Sequence, residues 1–265
     1  MAVPANRRVG GRELWDRADA PSVAVVVGAS GGLGAAFLRT LADQGRYDHI
    51  VGIARRRPED WPVDWPEDRA WTFIEADVVH ENQIADAARH VARLGRVDRI
   101  VVATGLLHSD RVSPEKTMRS LDAGSLIELF TVNAVGPALV AKHFLPLTPR
   151  DSPSLFAVLS ARVGSITDNR LGGWHAYRAS KAALNMLLAT LAIEHRRTRP
   201  LGVCVALHPG TVETNLSAPF QHGGAAGPKR MTPAASAQAL VGLMDRFRPL
   251  DSGGFFAWDG TEIPW

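Results

Sequence analysis

A chain of 265 residues with 46% hydrophobic and 22% charged side chains can bury a full core and has the composition of a soluble globular protein. Its net charge of +3 comes from 30 basic and 27 acidic residues spread along the chain, which excludes a concentrated basic arm and gives no sign of nucleic-acid binding. Cys204 is the only cysteine, so no intrachain disulfide can form, and no run reaches the roughly 18 apolar residues of a membrane span; a cytoplasmic protein with no membrane partner is expected.

Residues 1–21 carry Arg7, Arg8, Gly10, Gly11 and Arg12 without periodicity and read as a flexible N-terminal extension, leaving 22–265 as one domain. Ser22 to Val27 is a short valine-rich run, the pattern of a strand buried on both faces. The glycine-rich stretch Gly28 to Gly34 follows, then the helical pattern Ala35 to Gln44 and a second buried strand at Ile50 to Ala54, completing a βαβ unit. Further strands are expected at Trp71 to Glu75, Arg99 to Ala103, Leu155 to Ser160, Val203 to Leu207 and Gly254 to Trp258. Helices are expected over Glu81 to Leu94, Ser125 to His143, Ala176 to Arg197 and Ala234 to Phe247. This alternation predicts an α/β fold of Rossmann type, a doubly wound parallel sheet with helices on both faces. Three segments break the rhythm: a loop with prolines and tryptophans over Arg55 to Arg69, a polar connector over Thr148 to Pro153, and a glycine-rich stretch over Phe220 to Pro233. The last reads equally as a flap over a ligand or as a plain loop. Cys204 falls in an apolar strand-like run, the setting of an inert buried thiol.

Glycines between a buried strand and a helix let the backbone turn tightly and approach a pyrophosphate at the helix N-terminus, so this loop points to a dinucleotide. Two spacings fit: Gly28, Gly32 and Gly34, or Gly28, Gly31 and Gly34. At the end of the second strand, where an acidic residue would accept the adenosine ribose hydroxyl of NAD, the chain has Arg55-Arg56-Arg57 and no carboxylate before Glu59. Arginines there suit the 2′-phosphate of NADP, Arg55 foremost; the alternative is that they are solvated at the strand end. Tyr177 and Lys181 stand four residues apart and share one helix face. A cation beside a phenol favours its ionised form, so the pair suits acid–base work, although the same spacing on an ordinary helix is usually a coincidence. Only four lysines occur among the 30 basic residues, so a lysine here suggests a site that needs a compact charge with rotatable donors. The histidines show no metal-ligand spacing, and no metal is expected.

With the glycine loop and the Tyr–Lys pair in a chain of this length, the sequence resembles the single-domain short-chain dehydrogenases/reductases, from about Val23 to the C-terminus. Within that family it is most similar to the C-factor-like and sniffer-like carbonyl reductase branch. The similarity rests on Gly164-Ser165-Ile166, Asp168-Asn169, Gly172-Gly173-Trp174, the run Tyr177 to Asn185, Leu207 to Thr214 and the closing Asp259 to Trp265. The resemblance implies that Ser160 hydrogen-bonds a substrate carbonyl, that Tyr177 gives or takes the proton, and that Lys181 binds the nicotinamide ribose and lowers the phenol's pKa. It further implies that Asn133 supports a water relay to that lysine. On the cofactor side it implies pyrophosphate contacts from Gly28, Ser30, Gly31, Gly32, Leu33 and Gly34, and adenine contacts from Asp77 and Val78. Pro209, Gly210, Val212 and Thr214 would hold the nicotinamide side. Two departures stand out. The fourth strand ends in Ala103-Thr104-Gly105 where the family usually has Asn-Asn-Ala-Gly, so backbone contacts to the cofactor can survive but bracing by the first asparagine cannot. Ser160 and Tyr177 are also more widely spaced than is common, the extra residues falling in Thr167 to Gly173, which are expected to line the substrate pocket.

The resemblance therefore implies an NADP-dependent oxidoreductase acting on a small carbonyl or secondary alcohol, with NAD the less favoured cofactor. The alternative is a nucleotide-binding signalling or regulatory protein on the same fold with little turnover. A sugar epimerase or dehydratase of the longer family branch ranks last, because the chain lacks the extra substrate domain of those enzymes. Trp174, Leu171 and Phe220 hint at a hydrophobic substrate. Ala182 to Ile193 is apolar almost all round, the mark of a helix buried in the domain or in a subunit contact, and a homo-oligomer (dimer or tetramer) is expected.

Overall fold

A computed structural model describes residues 19–58, 70–216 and 230–265. Residues 1–18 of the expected extension, 59–69 of the proline-rich loop and 217–229 of the glycine-rich stretch, including Phe220, lie outside the described residues. Seven strands form one parallel sheet in the order β3-β2-β1-β4-β5-β6-β7. They span Ser22–Val27 (β1), His49–Ala54 (β2), Ala70–Glu75 (β3), Arg96–Val102 (β4), Ser154–Leu159 (β5), Gly202–His208 (β6) and Phe255–Ala257 (β7). The helices are Gly32–Asp43 (α1), Glu81–Val91 (α2), Ala123–Phe130 (α3), Gly136–Phe144 (α4), His175–Thr198 (α5) and Pro233–Met244 (α6).

Valine-rich strands are buried on both faces here because successive side chains point to opposite sides of the sheet. In β1, Val23, Val25 and Val27 join one core with Ile84 of α2, Phe144 of α4 and Leu184 and Leu188 of α5. Ala24 and Val26 join the other, with Phe37, Leu38 and Leu41 of α1 and Leu240 and Met244 of α6. The same alternation divides β5 and β6, so every central strand feeds both cores. Strand order reverses at β1 and β4, and the loops leaving their C-terminal ends diverge to opposite faces, opening the crevice in which such sheets bind ligands.

One element departs from expectation. The helix foreseen over Ser125 to His143 is interrupted by a π-type turn at Thr131–Val135, with Gly136 N–H reaching Thr131 O. A π-turn inserts one residue into the helical repeat and has no signature in hydrophobic periodicity; such turns cluster at functional sites, and this one carries Asn133. The run Ala123–Leu147 is long and apolar enough to cross a membrane by length and composition. Here it packs Leu129, Val140 and Phe144 into cores and Asn133 into the site. Ile127 and Val135 remain exposed, as do Met186 and Ile193 of α5, the helix on which α3 packs.

Burial decides the protonation of several groups. The Cys204 thiol is pushed up to about 12 by burial, in keeping with an inert thiol. His195 is held down to about 4 by burial and by the Arg199 charge. His208 is held down to about 4 by burial and by Arg162, against a smaller opposing pull from Asp259. Both are neutral when folded but take up protons near pH 6.5 when unfolded, so their stability contribution is complete above that pH and is lost as pH falls toward 4. By pH 5 the loss amounts to about 1–2 kcal/mol per histidine after solvent screening. Thermal melts at pH 7 and pH 5 should show it, with His195→Gln narrowing the gap; equal midpoints at both pH values would refute the assignment.

Candidate active site

At the C-terminal edge of the sheet, a cavity of about 390 Å³ is lined by Ser30, Gly31, Gly32 and Leu33 on one side and by Ser160, Tyr177 and Lys181 on the other. Ala103, Thr104, Gly105, Pro209 and Thr214 complete the wall among the expected residues. Glycine loop and Tyr–Lys pair, almost 150 positions apart in sequence, thus share one space.

The loop is shaped by steric need at two positions. Gly28 has φ +89°, and a Cβ on it would sit 2.9 Å from the carbonyl carbon of Ala103. A Cβ on Gly34 would lie 2.0 Å from Gly28 O, so only glycine lets α1 pack this closely under β1. Gly31 and Gly32 face no such clash and instead border the cavity, which shows that Gly28 and Gly34 are common to both spacings because they shape the backbone. Gly31 caps α1 with no side-chain hydrogen bond, and no acidic residue occupies the first turn. The N-terminal N–H groups of α1 therefore point at the cavity with a favourable dipole for an anion. Thr104 adds a buried Oγ1 without a partner. This donor set and glycine cradle fit a dinucleotide.

Around the cavity, three of the expected side chains are each held by hydrogen bonds to neighbouring groups. Asn133, fully buried at the π-turn, accepts from Leu106 N–H at 2.7 Å and donates to Leu106 O at 2.8 Å and Ser180 Oγ at 3.0 Å. It clamps the loop after β4 to α5, and its Oδ1 and the Lys181 Nζ both approach within 4 Å of the place a Cβ would take on Gly105. Lys181 Nζ donates to Leu159 O at 2.9 Å, which leaves its other protons for the cavity. It lies 5.9 Å from the centroid of the Tyr177 ring. Ser160, the residue after β5, donates from Oγ to Asn185 Oδ1 at 2.6 Å.

Electrostatics oppose part of the expectation. Burial holds the Tyr177 phenol above its ordinary value and pulls Lys181 down to about 8, because a low-dielectric site penalises tyrosinate and ammonium alike. The phenol is held in its proton-donating form, and the lysine stays cationic at neutral pH. Trp174 stands in the left-handed region at φ 51°, after Gly172 and Gly173 at φ 63° and 67°. Its N–H donates to Glu115 O at 2.5 Å, and its ring meets Tyr177 edge-on at 6.3 Å. The loop from Thr167 to Gly173 thus brings the Trp174 ring against Tyr177, but neither this loop nor Trp174 is among the residues lining the cavity, and Leu171 is 93% exposed.

The remaining expected residues are not among those lining this cavity. Arg55, Arg56 and Arg57 are exposed at the end of β2, next to the glycine loop. Asp77 and Val78 follow β3; the Asp77 carboxylate accepts from Val79 N–H at 3.2 Å, and Val78 packs where a Cβ on Gly136 would fall. Gly210, at φ +81°, packs on Trp258, and Val212 pairs with Met231. Sequence reasoning missed Glu213, Asn215 and Leu216 on the cavity wall and, above all, Asn185. Its signal was present: Asn185 stands four residues beyond Lys181 and so shares the face of α5 that carries Tyr177 and Lys181. Among the described residues no cluster could hold a metal ion.

Comparison with known proteins agrees with this geometry. The short chain dehydrogenase family matches residues 22–224. The C-signal of Myxococcus xanthus is 37% identical over 147 residues, covering 55% of this chain and 81% of that protein. Among solved structures, the carbonyl reductase Sniffer of D. melanogaster superposes with a TM-score of 0.78 at 22% identity, covering 92% of this chain and 99% of its own. A putative short-chain dehydrogenase/reductase from Burkholderia multivorans with bound NADP superposes at 0.73 with 26% identity, covering 93% and 100%.

Proposed function

Because this chain belongs to the short-chain dehydrogenase family, and so is an oxidoreductase, we propose that it transfers a hydride between NADP(H) and a carbonyl or secondary alcohol. The observation that carries this reading is the single cavity shared by the glycine loop, Ser160, Tyr177 and Lys181. Bound NADPH supplies the hydride. The glycine loop and the start of α1 would hold its pyrophosphate, and Lys181 would donate to its ribose. Ser160 and Tyr177 hydrogen-bond the substrate oxygen, where negative charge develops, and the neutral phenol of Tyr177 delivers the proton. For the serine to donate to substrate, the Asn185 amide must turn over and present Nδ2–H to Ser160 Oγ; that Nδ2 has no partner in the present orientation. Asn133 acts by holding the β4 loop and α5 in register.

Exposed arginines at the end of β2, with no carboxylate before Glu59, favour NADP over NAD. NADPH is expected to bind more tightly than NADH, and Arg55→Glu to weaken NADPH by about 10–100-fold, the range of a lost charge-assisted contact, while changing NADH little. An equal loss for both cofactors would refute the role of Arg55. A signalling function with little turnover is the second reading, prompted by the C-signal relative. NADPH oxidation over a panel of aldehydes and ketones separates the two: silence across the panel despite tight NADPH binding would favour signalling.

The exposed Ile127, Val135, Met186 and Ile193 on adjoining helices also support pairing with a second copy of the chain. Light scattering is expected to give a multiple of the chain mass, and a monomeric mass would exclude it.

A further inference from the structure

A second cavity, of about 500 Å³, lies at the opposite, N-terminal edge of the sheet, between the starts of β4, β5 and β6 and the end of α6. Arg99 forms part of its wall and is only 8% exposed. Its Nη2 donates to Asp245 Oδ1 at 2.9 Å, and its guanidinium carbon lies 6.0 Å from the centroid of the Tyr47 ring, yet its Nε and Nη1 have no hydrogen-bond partner. Ser154, 6% exposed on the same wall, has an Oγ that is likewise unpartnered. Buried donors of this kind are costly when unsatisfied, the more so when charged, and native folds rarely leave them so without a reason.

The charge balance points the same way. Asp245 serves two arginines, since Arg46 Nη1 also contacts its Oδ1 at 3.0 Å. Asp98, the other carboxylate on the wall, is already held through both oxygens by Arg96, at 2.7 and 2.8 Å. Arg248 brings a third guanidinium to the lining. Asp245 Oδ2 in turn accepts from Gln44 Nε2 at 2.8 Å, so three arginines face a single carboxylate whose two oxygens are already in use, and positive charge is in excess. Opposite them the wall is apolar, with Met244 and Phe247.

We propose that this cavity binds a small organic anion, a carboxylate on an apolar body. The carboxylate meets Arg99 and Ser154, satisfying the orphaned donors as a charge-assisted pair, and the body lies against Phe247 and Met244. The site is at the strand edge opposite the glycine loop, so its occupant does not compete with a dinucleotide.

Calorimetric titration of the full chain with sodium benzoate and with inorganic phosphate tests this. Benzoate is expected to bind at one site, unaffected by saturating NADPH, with phosphate at least about 10-fold weaker because it has no apolar body. Arg99→Met, which retains an apolar stem and leaves Asp245 paired with Arg46, should weaken benzoate by about 10-fold or more, and Ser154→Ala by a smaller factor. If Arg99→Met does not fold, Ser154→Ala and a benzoate-induced shift of the Arg99 Nε–H resonance decide the matter. No benzoate binding, binding unchanged in the variants, loss of binding with NADPH, or phosphate binding as tightly as benzoate would each overturn the proposal.

Discussion

Tyr177→Phe is expected to lower kcat for carbonyl reduction by about 10²–10⁴-fold while leaving NADPH affinity nearly unchanged. The substitution removes one oxygen, the proposed proton donor, and keeps the ring that Trp174 meets edge-on, so that contact and the fold should survive. Burial favours the protonated phenol, the form that donates to a carbonyl oxygen during reduction. Asn185→Leu offers a graded companion. It deletes the group that orients Ser160 Oγ but touches neither proton donor nor glycine loop, so kcat should fall by about 10-fold, the size of one lost orienting hydrogen bond, with NADPH binding intact. Steady-state kinetics with fluorescence titration of NADPH read both. A Tyr177→Phe enzyme with near-normal kcat would sink the assignment, and an Asn185→Leu enzyme altered in NADPH affinity alone would assign that residue to the cofactor instead.

Gly34→Ala should abolish dinucleotide binding and destabilise the fold by about 3 kcal/mol, the upper range for over-packing a site that cannot relax. The added methyl would stand 2.0 Å from Gly28 O and 2.7 Å from Gly28 C. Both neighbours are backbone, so relief requires moving α1 away from β1 or opening the turn at Gly28, and either displaces the N–H groups offered to a pyrophosphate. Gly32→Ala is the internal control: its nearest neighbour would be Thr214 Cγ2 at 3.4 Å, an ordinary approach to a side chain, so the fold should hold. Thermal unfolding and NADPH titration separate the variants. If Gly34→Ala melts and binds like the parent chain, the close packing of α1 under β1 is not what the glycine serves.

Much of this was legible from one dimension. Continuous burial of β1, β5 and β6 follows from short valine- and alanine-rich runs, because a strand covered on both faces needs apolar side chains at every position. Tyr177 and Lys181 were recognisable through their shared helix face, and the glycine loop through its place between strand and helix. The π-turn at Thr131–Val135 was not, since one extra residue in a helical repeat leaves composition and periodicity almost untouched. Nor was the bond from Ser160 to Asn185, which joins β5 to α5 over 25 positions.

The chain by itself thus determined the α/β alternation and the glycine turn, because these depend on local sterics and on spacing within single elements; the roles of Ser160, Tyr177 and Lys181 came from the family resemblance. Tertiary structure alone decided what those residues are to one another. Parallel pairing of β1 with β4 and β4 with β5 brings the glycine loop and the Tyr–Lys face to one edge of the sheet. Burial there holds the phenol protonated and the lysine near 8, a setting that no spacing encodes, since the cost of a buried charge depends on all the atoms around it.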